Sequence, residues 1–70
     1  MTAKLVSKFS DYLPTLEDAA AGELDLRTNR KLYNKVYRFY TREGCTFTGD
    51  AVVDYNMIVS YITEDLYSDY

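Results

Sequence analysis

Between Arg30 and Arg42 the large apolar side chains and the charges take opposite sides of a helix. Leu32, Tyr33, Val36, Tyr37, Phe39 and Tyr40 fit an arc of about 160° at 3.6 residues per turn. Arg27, Lys31, Lys35, Arg38 and Arg42 form one stripe across from them. So clean a separation of apolar and basic sides reads as an amphipathic helix. Asp25 or Thr28 is positioned to cap the helix at its start and Gly44 to stop it.

The remaining segments repeat the helical period. Leu5, Phe9, Tyr12, Leu13, Leu16 and Ala20 step by three and four residues along a first helix expected over 3–21. Pro14 interrupts this run and cannot donate a backbone bond. It falls roughly opposite the apolar stripe, where a helix can curve around a core, so one helix bent at Pro14 is expected. The alternative is a break, with Pro14 opening a second short helix "PTLEDAAA". Gly22 should end the run in a left-handed cap. In "GCTFTGD", a loop, Phe47 should dip between helices. Thr48 or Asp50 then caps a third helix over about 50–68, whose core stripe is Ala51, Val52, Tyr55, Ile58, Val59, Ile62 and Leu66. Three amphipathic helices with short connections give an all-α, compact three-helix bundle.

Seventy residues fill one core and bury only about 60% of the unfolded chain's surface. Cys45 is the only cysteine, which suits a reducing, cytoplasmic setting better than a disulfide framework. No run reaches the roughly 20 apolar residues of a membrane span. "MTAKLVSKFSDYL" lacks the apolar core and cleavage site of a signal peptide.

Charge is laid out in blocks. Residues 1–10 carry two bases and no acid, residues 11–25 five acids and no base, residues 27–42 six bases and no acid, and residues 43–70 six acids and no base. The blocks can satisfy one another through rim ion pairs, each contributing about 0–1 kcal/mol when exposed. They can also steer a partner protein. A third use is RNA or DNA binding through Arg27, Arg30, Lys31, Lys35, Arg38 and Arg42, with tyrosines to stack on bases. Against it stand a net charge of −3 and tyrosines on the apolar side, away from the bases. The helix after "TREGCTFTGD" has Asp50, Asp54, Glu64, Asp65 and Asp69 and no Lys or Arg, which disfavours groove reading. Mutual neutralisation of the blocks is the expected arrangement.

The third helix has a second apolar face. Val53, Met57 and Tyr61 recur every four residues opposite its core stripe, with Tyr67 at the edge. Such a strip can pack a centrally placed helix on both sides. It can also be an exposed docking or dimerisation surface. Val53, Met57, Tyr61 and Tyr67 are the candidate partner-binding residues, with Asp54, Glu64 and Asp65 as a charged surround.

Histidine is absent, which removes imidazole bases, Ser-His and Cys-His pairs and ordinary zinc sites. Adjacent acids such as Glu17–Asp18 and Glu64–Asp65 diverge on a helix. "TFTGDA" lacks the spacing of a phosphate loop. No cofactor, metal or catalytic residue is expected. The sequence therefore points to a non-enzymatic module that inhibits or bridges a larger protein. Size and charge liken it to the small modulators that phages direct at host enzymes or defence complexes. RNA or DNA binding is the alternative, and a structural homodimer a third.

Overall fold

A computed structural model describes residues 3–67 as an all-α domain. Helix α1 covers Ala3–Lys8, α2 Leu13–Ala20, α3 Arg30–Arg42 and α4 Ala51–Tyr67. Short 3-10 turns occupy Ser10–Tyr12 and Leu26–Thr28. Among the described residues there is no strand. The expected third helix ended at Ser68, which lies outside the described residues, as does Asp69.

The single bent helix over 3–21 does not form; the chain breaks between Lys8 and Leu13. Continuing the helix would set the Pro14 ring against the Ser10 carbonyl and leave that oxygen without its donor. Instead Tyr12 N–H donates to the Phe9 carbonyl at 2.9 Å, closing a 3-10 turn. Pro14 then sits in the first turn of α2, where no N–H is needed. The break shifts the helical phase, so Leu5, Phe9, Leu16 and Ala19 are buried while Tyr12 stays 37% exposed.

Two helix ends share one stop. Gly22 (φ 81°) and Gly44 (φ 98°) adopt the left-handed backbone that favours glycine. Beyond Gly22, Glu23 N–H donates to the Asp18 carbonyl; beyond Gly44, Cys45 N–H donates to the Tyr40 carbonyl. These are the six-to-one bonds of a Schellman cap. At its start α3 is capped by Asn29, whose side chain accepts from Leu32 N–H. Asp25 caps the preceding 3-10 turn and binds the Arg27 guanidinium, which holds its carboxyl down to about 2. Asp50 accepts from Val52 N–H and Val53 N–H at the start of α4.

The core joins Leu5 and Phe9 of α1, Leu16 and Ala19 of α2, Leu32, Val36, Phe39 and Tyr40 of α3, and Ile58 and Ile62 of α4. Leu26, in the connection before α3, is fully buried with them. Its N–H donates to the Tyr55 hydroxyl at 2.9 Å, which holds the connection on α4. Helix α4 packs chiefly along α1 and α2 and also meets α3. Phe47 fills the space between α3 and α4, stacked on Tyr37 at 4.4 Å and edge-on to Tyr61 at 6.3 Å.

Candidate protein-docking face

Helix α4 presents an apolar strip to solvent. Val53 is 44% and Tyr67 57% exposed, and Met57 is half-buried between them. Val52, assigned by its period to the core, is 60% exposed and widens the strip. It lies in the first turn, before α4 has reached the packed middle of the domain. Val53, Asn56, Met57, Ser60 and Tyr61 line a shallow open hollow. Tyr61 is shared: its ring lies 5.2 Å from Tyr40 and so also ties α4 to α3.

The three acids expected around the strip separate. Glu64 remains exposed. Asp54 is only 4% exposed and does not belong to the surround. Its Oδ1 accepts from the Thr48 N–H and hydroxyl, both at 2.8 Å, and its Oδ2 from Gly49 N–H at 2.9 Å. The Tyr37 hydroxyl donates to it from 3.4 Å. Burial pushes its carboxyl up, but the bonds from Thr48, Gly49 and Tyr37 outweigh this and hold it below the ordinary value. Asp54 is thus the anchor of the loop before α4. An acid in the first turn of a helix, six residues after a threonine in a glycine turn, was the one available sign: it can reach back to loop N–H groups as a capping side chain does.

Asp65 is half-buried and accepts from the Tyr40 hydroxyl at 2.7 Å. Burial raises its carboxyl despite that bond. It faces α3 more than a partner.

The basic residues stay on the surface. Arg27, Arg30, Lys31, Lys35, Arg38 and Arg42 are all exposed. Among the described residues the ion pairs are Arg27–Asp25 at 2.7 Å and Lys4–Glu43 at 3.4 Å. Neither joins α3 to α4, so the expected neutralisation of the basic stripe by the acidic helix does not take the form of ion pairs. The two helices meet through aromatic rings and the Tyr40–Asp65 and Tyr37–Asp54 bonds instead.

Among the described residues no three His, Cys, Asp or Glu side chains converge as a metal-binding group, and no helix is long and apolar enough to cross a membrane. Comparison with protein-family models, with curated proteins and with solved structures gives no match.

Proposed function

We propose that this chain is a small, non-enzymatic protein-binding module that docks a larger protein through the outer face of α4, acting as an inhibitor or adaptor. The observation that carries this reading is the exposure of Val52, Val53 and Tyr67 on one helix, with Met57 half-buried among them. Val53 and Tyr67 are fourteen residues apart, so the strip runs for about 21 Å at 1.5 Å per residue. Large apolar side chains held out to solvent along one helix, here interspersed with the exposed Asn56, Ser60 and Glu64, are a feature of interaction surfaces. Methionine adapts to a partner's shape, and tyrosine anchors with an apolar body and a polar tip. Asp54 is engaged by its own loop, so the contact set is Val52, Val53, Met57, Tyr61 and Tyr67, with the exposed Glu64 between Tyr61 and Tyr67.

The test is an affinity capture from source cells, with nuclease, comparing the wild-type chain with Val53→Asp/Tyr67→Ala. Both positions are exposed, so the variant keeps its core. One protein retained by the wild type and released by the variant supports the reading. Retention that nuclease abolishes favours instead nucleic-acid binding through the α3 stripe. A mass of twice 8.1 kDa that the variant returns to monomer would make the strip a homodimer face.

A further inference from the structure

The break before Pro14 also sets the direction of α1. It aims α1 so that Lys4 and Lys8 stand opposite Lys35, Arg38 and Arg42 of α3. Two adjoining open hollows, of about 550 and 350 Å³, run between these helices. Their floor is aromatic: Phe39 lies edge-on to Phe9 at 5.7 Å, and Tyr12 borders Phe9 at 6.5 Å. Tyr12 keeps 37% of its surface open, with the Lys35 ammonium 5.9 Å from its ring centre. All five bases are exposed, and only Lys4 has a carboxylate within ion-pair distance among the described residues.

We infer that this groove is a second docking surface, and that it takes a short acidic peptide segment of a partner protein with an aromatic or aliphatic side chain between its carboxylates. The rim supplies the charge. Arg38 and Arg42 can each grip a carboxylate with two parallel N–H bonds, and the lysines add point charges. The exposed ring of Tyr12 and the accessible edge of Phe39 supply the apolar contact, and the Lys35 ammonium beside Tyr12 is already in place to hold an acidic neighbour of an inserted side chain.

Charge complementarity favours a short acidic segment over a nucleic acid. The groove takes five of the chain's eight bases and one of its eleven acids, which leaves three bases against ten acids for the rest of the molecule. Duplex DNA carries a charge about every 1.7 Å along its axis. On a body 31 Å long, a polyanion that outruns the groove in any direction but toward Arg27, Arg30 and Lys31 passes onto the rest of the molecule, which holds ten acids. A peptide with a few carboxylates ends before it does. Phe9 and Phe39 are also too deeply buried, at 2% and 8% exposure, to stack flat on bases. This surface shares no residue with the α4 strip, so the two proposals fail independently.

The experiment is fluorescence anisotropy on the full chain with a labelled peptide of alternating glutamate and phenylalanine. The same peptide with glutamine for glutamate, and a single-stranded oligo-dT of equal length, serve as competitors. The expected result is binding of the Glu/Phe peptide that Arg38→Glu/Arg42→Glu weakens by about tenfold or more. The Gln/Phe peptide and oligo-dT should compete poorly. Lys8→Glu, on α1, should weaken binding as well; it guards against a folding defect peculiar to α3, and circular dichroism checks both variants. Oligo-dT competing as well as the peptide, no binding of the peptide, or binding unmoved by folded charge-reversal variants would each overturn the inference.

Discussion

The Tyr40 hydroxyl donates a 2.7 Å hydrogen bond to the Asp65 carboxylate and so joins α3 to α4. It is a side-chain tie between the basic helix and the acidic one, and it is not an ion pair. Tyr40→Phe keeps the ring packed on Phe39 and Tyr61 but leaves a half-buried carboxylate without its donor. A bond to a charged group contributes about 1.5–3 kcal/mol, and the partial exposure of Asp65 places this one at the lower end. Urea denaturation should show that loss with an unchanged m-value.

Its partial burial makes Asp65 informative about pH. Burial raises its carboxyl above the ordinary 3.8, so the folded state disfavours the ionised form. Stability is thereby lost as pH climbs from the ordinary value through the raised one. Asp65→Asn keeps an acceptor for Tyr40 and removes the charge. It should match or exceed wild-type stability near neutral pH, with the difference vanishing below the ordinary carboxylate range. A variant less stable at every pH would contradict this.

Asp54 should behave in the opposite sense. Its carboxyl is held below 3.8, so its stabilisation is complete above that value and is lost as pH falls through the lower folded one. Asp54→Asn has one acceptor oxygen for a site that now receives bonds from Thr48 and Gly49 on two. The expected outcome is a lower Tm near neutral pH and faster amide exchange at Thr48 and Gly49. Stability should also fall less on acidification than in the wild type.

Pro14 separates a broken helix from a bent one. A proline in the interior of a continuous helix costs about 3 kcal/mol, which Pro14→Ala would recover. In the first turn of α2 the proline causes no such loss, and replacing it should change stability by no more than about 1 kcal/mol. Chemical denaturation of the single variant decides between them.

The α4 stripe offers a paired test of burial. Ile58 is fully buried and Val52 60% exposed, although the helical period assigns both to the core. Ile58→Ala should cost about 2–5 kcal/mol, a large share of the stability of a chain this small. Val52→Ala should stay within about 0.5 kcal/mol. Comparable losses would place the first turn of α4 inside the core.

What the sequence makes legible are the features that repeat or that a single residue type dictates. The two-sided pattern of α3 and the buried Ile58 and Ile62 follow from period alone, and Gly22 and Gly44 mark caps because few other residues tolerate their backbone. What it hides depends on phase and on distant chain. Tyr12 leaves the core because one 3-10 turn resets the helical phase, and a proline does not say whether it bends or breaks. Leu26 is invisible to a periodicity argument, since its 3-10 turn is three residues long. Asp54 reads as a surface acid until its loop is seen to fold back on it. The basic groove needs the α1–α3 angle, which no local pattern encodes.

Docking of a protein on α4 can be caught in source cells with a photo-crosslinking amino acid at position 53, and one at the exposed Glu17 of α2 as control. The expected result is an adduct from position 53 to one protein, resistant to nuclease, lost with Tyr67→Ala and absent from position 17. No adduct from position 53, or an adduct to nucleic acid, would contradict it.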